Sequence, residues 1–305
     1  IFNPFKFVTN YERGITKDMS RIGNVTFTHQ LLREYGLNAK KKYGQNFLTD
    51  QNILVSIVDA AEITKQDAVI EIGPGLGALT EHLCERAGFV LAYEIDKDLI
   101  SILEGNLKNY PNFKVLNQDV LKSDVEADIS TYLKEFQNVY VVANLPYYIT
   151  TPIILGLLSK CLPIQRYVLM MQLEVADRIC GKPSTKDYNA LSIVIGYKAK
   201  ATKVLKVPRT VFVPAPNVDS AVVRLDTYDT LPVKAMNEEL FYQVVRISFE
   251  QRRKTLYNNL SLAYPKEFVG QMLASLNINP SIRAEALSIH EFVLMSDYIT
   301  QNYQR

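Results

Sequence analysis

The sequence predicts an α/β fold: a parallel sheet with helices on both faces, followed by a small all-helical C-terminal domain. Three observations carry this expectation. From Ala68 onward, short apolar runs alternate with amphipathic segments, the pattern of strands and covering helices. Glu71-Ile72-Gly73-Pro74-Gly75-Leu76-Gly77 lies where the first apolar run passes into such a segment, as a tight strand-to-helix turn requires. After Leu231-Pro232 only the helical period remains.

Taken in order, strands are expected at Ala68 to Ile72, Val90 to Glu94, Phe113 to Leu116, Val139 to Ala143 and Tyr167 to Met171. Leu79, Leu83 and Ala87 give the first intervening helix one apolar face, and Leu99, Ile100, Leu103 and Leu107 do the same for the second. Leu191 to Tyr197 and Ala221 to Leu225 read as further strands closing the sheet, separated by the Pro-rich loop Val207 to Pro216. Helices are expected at Glu238 to Glu250, Lys266 to Leu276 and Ile289 to Tyr303. The resulting domains are 44–230 for the sheet and 231–305 for the small helical domain, preceded by a basic extension at 19–43. Met19 reads as the native start, which makes residues 1–18 an appended segment.

With 305 residues and 48% hydrophobic content, the chain can bury a sizeable core. Its 34 basic and 32 acidic residues nearly balance, so any nucleic-acid surface must be local. Cys84, Cys161 and Cys180 are odd in number and widely spaced, against a disulfide framework or zinc site and in favour of a reducing cytoplasm. The scattered His29, His82 and His290 do not suggest a metal cluster, and no bound metal is expected. Phe136 to Ser159 lacks charge and is long enough to span a membrane, but Asn144, Pro146 and Pro152 divide it into strand, loop and helix. A monomer is the default expectation.

Asn144-Leu145-Pro146-Tyr147 follows the fourth strand. Together with the glycine turn it suggests methyl transfer to an exocyclic amine. An adenine N6 is a poor nucleophile because its lone pair is delocalised into the ring, so a site must hold that nitrogen in line with the donor. The Asn144 side-chain oxygen and the carbonyl of Leu145 or Pro146 can accept its hydrogens while the Tyr147 ring stacks on the base. Tyr148 and Phe212 are further aromatic candidates, since an unpaired base can be held between two rings. The lesser alternative for Phe212 is a loop anchor over the core.

Gly73-Pro74-Gly75-Leu76-Gly77-Ala78 also fits a dinucleotide pattern, with Glu94 where a ribose-binding acid belongs. That leaves NAD open on these residues alone. Asp119, after the third strand, can instead accept the adenine amino group of S-adenosylmethionine, although by itself it reads equally as a helix cap or a solvated loop acid. Gln45-Asn46-Phe47-Leu48 can line the methionine end of the same cofactor. Lys40-Lys41-Lys42 and Arg252-Arg253-Lys254 are compact basic clusters apt for phosphate contacts, each otherwise a solvated face.

Lys42-Tyr43-Gly44-Gln45-Asn46-Phe47-Leu48, Glu71 to Gly75, Gln118-Asp119-Val120-Leu121, Asn144 to Tyr148, Pro216 to Val222 and Gln251-Arg252-Arg253-Lys254-Thr255-Leu256 occur in this order. From about Phe27 onward the chain thereby resembles the ribosomal RNA adenine dimethyltransferase family, on its bacterial small-subunit branch. The resemblance implies a Rossmann-like class I S-adenosylmethionine-dependent methyltransferase sheet with a helical C-terminal domain. It implies dimethylation of N6 on two adjacent adenines in the 3′-terminal hairpin loop of 16S rRNA, in an assembling small ribosomal subunit. In the family, loss of this activity is linked to kasugamycin resistance. Cofactor positions fall on Asn46, Leu48, Gly73, Gly75, Glu94, Asp119 and Asn144, and the catalytic segment on Asn144, Leu145, Pro146, Tyr147 and Phe212. Leu173 stands where the family commonly has Lys, and Asn189-Ala190 where Gly and a small or basic residue are usual, with Asn189 expected to take a left-handed backbone. Two rivals remain: a 23S rRNA adenine methyltransferase conferring antibiotic resistance, and a non-catalytic RNA-binding assembly factor on the same fold.

Overall fold

The structure is a computed structural model and describes residues 21–35 and 44–303. Residues 1–18 and the Lys40, Lys41 and Lys42 cluster lie outside the described residues. Two compact units divide the chain. The first runs to Gln172 and includes Leu205–Val222; the second holds Leu173–Val204 and the chain from Val223 onward.

The first unit opens with α1 (Val25–Glu34), β1 (Phe47–Leu48) and α2 (Gln51–Ala61). It continues with β2 (Ala68–Ile72), α3 (Ala78–Arg86), β3 (Phe89–Tyr93), α4 (Lys97–Asn106) and β4 (Phe113–Leu116). Then follow α5 (Val125–Tyr132), β5 (Val139–Asn144), α6 (Thr150–Ser159) and β6 (Ile164–Gln172). Helix starts are written locally: the side chains of Asn24, Asp50, Asp96 and Asp124 accept first-turn N–H groups of α1, α2, α4 and α5. All of β2 and the last four residues of β3 are buried, as strands covered on both faces must be.

The chain continues with α7 (Leu173–Ile179), α8 (Ala190–Lys198), β7 (Ala199–Val207), β8 (Phe212–Val213) and β9 (Ser220–Thr227), then α9 (Glu238–Ser248), α10 (Leu256–Leu260), α11 (Lys266–Ser275) and α12 (Ile289–Asn302). The seven-stranded sheet has the order β4-β3-β2-β5-β6-β9-β7, and β1 pairs separately with β8. β2 runs parallel to both β3 and β5, while β3 and β4, and β5 and β6, also pair in parallel. From β2 the chain steps outward through β3 and β4, then returns to the other side of β2 as β5. A crevice forms beyond the carboxyl ends of strands where the order reverses, here between β2 and β5.

Leu54, Ile57, Leu83, Val90, Val142 and Val168 build the main core of the first unit. The second unit has its own, centred on Tyr197, Phe241, Val244, Leu256, Met272 and Phe292. Leu191 to Tyr197 was expected to be a strand and is the body of α8. The Asn189 side chain accepts from Leu191 N (2.8 Å) and the Ser192 hydroxyl accepts from Asn189 N (3.1 Å), so a capping box starts a helix through a β-branched run. Burial of Ile193 and Tyr197 in the helical core then overrides strand propensity. Asn189 itself is extended, at φ −162°, and acts as a cap instead of a left-handed turn. These residues belong with the helical unit, which therefore recruits chain well before the change of period at Leu231. The uncharged stretch 136–159 is divided between β5, a short turn and α6, and no helix among the described residues is long and apolar enough to cross a membrane.

Candidate active site

Four motifs of the first unit, 42–48, 71–75, 118–121 and 144–148, contribute to one cleft lined by Asn46, Leu48, Gly73, Gly75, Glu94, Asp119 and Asn144. Gly73 (φ +70°) and Gly75 (φ +60°) occupy the left-handed region that favours glycine. A Cβ on Gly75 would also come within 3.2 Å of the Phe47 ring.

Glu94, just past β3, is 4% exposed and accepts N–H bonds from Gly75 (3.2 Å) and Asp96 (2.8 Å). Burial raises its carboxyl above the ordinary range, and those two donors oppose the rise. Asn117 donates to the Glu94 carbonyl (2.8 Å), holding the ends of β3 and β4 together. Gln45 donates to Asp96 (2.9 Å), anchoring the segment that carries Asn46 and Phe47. Asp119 lies beyond β4 on the cleft wall, where its Oδ1 accepts from Leu121 N (3.0 Å). No helix starts at Asp119, whose bond to Leu121 N closes a loop turn; it is a loop acid on the cleft lining. Ile95, 45% exposed, adds an apolar surface to the same wall.

The opposite end is built by β5 and the turn after it. Asn144 Nδ2 donates to the Asn46 carbonyl (3.3 Å), which leaves Oδ1 as the acceptor available to a ligand. The Pro146 carbonyl already accepts from Ile149 N (3.2 Å) and the Thr150 hydroxyl (3.0 Å), so of the two candidate carbonyls Leu145 is the better placed to accept from a ligand. Leu145 N donates to the Met170 carbonyl (3.0 Å), fixing that peptide to β6. The Tyr147 hydroxyl shares a 2.6 Å hydrogen bond with Ser220, so the ring has a fixed tilt at the cleft edge, and burial raises its pKa. Tyr148 is 55% exposed beside it.

Glu71 forms part of the cleft floor and is 1% exposed, with no hydrogen-bond partner for Oε2 among the described residues. Burial pushes its carboxyl up to about 8; the adjacent Thr80 hydroxyl pulls the other way, and Glu94 adds to the rise.

Phe212, expected beside the base, does not line the cleft. It is 3% exposed, pairs with Leu48 across β1 and β8, and packs in the core of the first unit instead of lining the cleft. In Val211-Phe212-Val213 the alternation of the short strand turns the large ring inward, and a buried ring cannot stack on a base. The reading as a loop anchor is the one the structure bears out.

Sequence reasoning gave no individual role to Gln45, Phe47, Glu71, Ile95, Asp96 or Ser220. Glu94-Ile95-Asp96 carried a usable signal, two acids spaced so that the second caps α4. The pairing of Tyr147 with Ser220 had none, being set by tertiary contact.

Arg252, Arg253 and Lys254 occupy an exposed turn between α9 and α10. Buried Asn259 accepts from Gln251 N and donates to the Gln251 carbonyl (both 3.2 Å), fixing the turn, while Arg252 donates to the Lys186 carbonyl (3.1 Å).

Residues 36–301 match the family model for ribosomal RNA adenine dimethylase. The chain belongs to that family. Two relatives, both called ribosomal RNA small subunit methyltransferase A, match it over most of its length. The one from Lysinibacillus sphaericus (strain C3-41) is 50% identical over 88% of this chain and 94% of its own. That of Lactococcus lactis subsp. lactis (strain IL1403) is 48% identical over 92% and 96%. Among solved structures, a dimethyladenosine transferase from Plasmodium falciparum aligns with a TM-score of 0.71 at 28% identity, covering 83% of this chain and 97% of that one. The 23S rRNA methyltransferase ErmE aligns at 0.65 and 27% identity, over 84% and 100%.

Proposed function

We propose that this rRNA adenine dimethylase uses S-adenosylmethionine to dimethylate N6 of two adjacent adenines in the 3′-terminal hairpin loop of 16S rRNA, acting on an assembling small subunit. The observation that carries the reading is the arrangement of Asn144 and the Leu145 carbonyl at the end of β5, on the same cleft as Glu94 and Asp119. Relatives at 48–50% identity that bear the small-subunit name favour this substrate over the 23S rRNA of the 27% identical ErmE.

The donor set fits this cofactor. Glu94 offers a buried carboxylate to ribose hydroxyls, Asp119 an acceptor to an adenine amino group, and Gly73 and Gly75 a backbone close enough for a nucleoside to lie against. Asn46 and Leu48 line the same cleft and would face the amino-acid end. When bound, S-adenosylmethionine supplies an electrophilic methyl on a positively charged sulfur.

The protein's own task is orientation. Asn144 Oδ1 and the Leu145 carbonyl accept the two hydrogens of the unmethylated amine, and one of them accepts the single hydrogen left after the first transfer, which turns the nitrogen lone pair out of conjugation and toward the donor. Tyr147, tilted by Ser220, supports the base plane by stacking. No side chain needs to remove a proton first, because the amine becomes acidic only as its fourth bond forms and can then lose the proton to water. Arg252, Arg253 and Lys254 supply phosphate contacts.

Transfer of labelled methyl to small subunits from a dimethylation-deficient strain, with large subunits in parallel and nucleoside analysis, tests the proposal. Dimethyladenosine in the small subunit alone is expected. Label in the large subunit would favour the 23S reading, and binding without label a non-catalytic assembly factor.

A further inference from the structure

Glu71 is a buried acid for which transfer chemistry has no use. Its position is set by the sheet: in β2 it pairs with Ala92, two residues before Glu94, and its neighbour Ile70 pairs with Val141, three residues before Asn144. It therefore lies beneath the middle of the cleft, between the acid assigned to the ribose and the amide assigned to the acceptor amine. The side chain is 1% exposed, lines the cleft, and keeps Oε2 without a hydrogen-bond partner among the described residues.

The groups that face it come from each neighbouring element. β3 brings Glu94, and α3 brings the Thr80 hydroxyl and the Cys84 thiol, the latter kept protonated by burial. The β5 residues paired with β2 are Val139, Tyr140 and Val141. None of these named groups is a cation. A carboxyl in such surroundings stays neutral until positive charge arrives, because desolvation and a second acid both oppose ionisation. Among the described residues named here none supplies a compensating cation, which leaves that part to a cationic ligand.

We propose that Glu71 is a charge-sensing residue of the cofactor cleft, losing its proton to solvent when the cationic methyl donor binds and keeping it when the demethylated by-product binds. The inference rests on the S-adenosylmethionine reading. The donor carries a sulfonium, an ammonium and a carboxylate, net +1, whereas S-adenosylhomocysteine has lost only the sulfonium charge. Donor binding then releases one more proton than by-product binding, and the ionised Glu71 holds the donor more tightly. The by-product, no longer matched to an anion, is released as Glu71 recovers its proton. Glu71 is a specificity residue here, not a participant in transfer.

The linkage has a defined sign. Free Glu71 is mostly protonated at pH 7, with its carboxyl pushed up to about 8. Donor affinity therefore rises with pH, by up to about tenfold per unit below that value, and levels off above it, while by-product affinity stays nearly flat.

Titration calorimetry of the full chain at pH 7, in buffers of different ionisation enthalpy, counts the protons directly. The probes are S-adenosylmethionine and S-adenosylhomocysteine. Release of up to one more proton with the donor is expected, a difference that disappears at pH 9.5 and in Glu71→Gln. The variant should also lose most of the preference for donor over by-product at pH 8. Because the wild-type comparison between pH 7 and 9.5 needs no variant, the test stands even if Glu71→Gln folds poorly. Equal proton counts for both ligands, or a difference that persists in a folded Glu71→Gln, would overturn the inference and leave the cofactor reading intact. Absence of binding by either ligand would instead overturn the cofactor reading, and this inference with it.

Discussion

Asn144 and Glu71 stand at the ends of neighbouring strands, yet their surroundings give them opposite tasks. Asn144 has its amide N–H engaged by the Asn46 carbonyl and its oxygen left to a ligand, so it is oriented before substrate arrives. Asn144→Ala should lower methyl transfer at least about 10²-fold, well beyond any loss of cofactor affinity, read by single-turnover kinetics beside calorimetry. Normal turnover would remove the assigned role. Glu71 stores a protonation difference between folded and unfolded chain. Its carboxyl moves from an ordinary 4.5 to about 8 on folding, so the native state retains a proton that the unfolded state loses. Its contribution is whole below pH 4.5 and falls as pH rises toward 8, at up to about 1.4 kcal/mol per unit. Urea unfolding across that window should show the slope in the wild type and lack it in Glu71→Gln.

At the scale of elements, the glycine turn and the β1–β8 pair show how backbone demands reach the site. Gly75→Ala imposes a side chain on a left-handed residue and presses on Phe47, a cost of about 1 to 2 kcal/mol. Cofactor affinity should fall about tenfold or more by calorimetry, with the chain still folded. Phe212 anchors β8 against Leu48 and the core beneath it. Phe212→Ala should cost about 3 to 5 kcal/mol in denaturant unfolding, the range for emptying a buried aromatic site. A stable variant with impaired base binding would restore the stacking role that the burial argues against. α8 teaches the related lesson that a capping box and a helical core can claim a segment whose Ile-Val-Ile pattern reads as a strand.

For the whole molecule, near-neutral net charge makes nucleic-acid affinity a matter of where charges are held. The turn carrying Arg252, Arg253 and Lys254 is braced by Asn259, so its charges are presented at low entropic cost. Replacing all three with Ala should weaken binding to small subunits and make its logarithmic salt dependence shallower by roughly 2 units, if each lost phosphate contact contributes about 0.7 to 0.9. Binding unchanged at every salt concentration would move the RNA surface elsewhere in the chain.

The sequence by itself determined what depends on local chemistry and on period. Apolar runs long enough to be buried on both faces had to form a parallel sheet, and glycines in the turn marked a backbone that a ligand approaches. Residues at successive strand ends, Glu94, Asp119 and Asn144, could therefore be read as one site, because parallel strands deliver their carboxyl ends to the same edge. Family membership followed from the order of the motifs. Only tertiary structure decided which side of a short strand Phe212 faces, that Ser220 holds Tyr147, and that Glu71 is sealed beneath the cleft without a hydrogen-bond partner for Oε2 among the described residues. Burial and long-range pairing belong to contacts between distant segments, and it is burial, not residue type, that turns an ordinary glutamate into an acid still protonated near neutral pH.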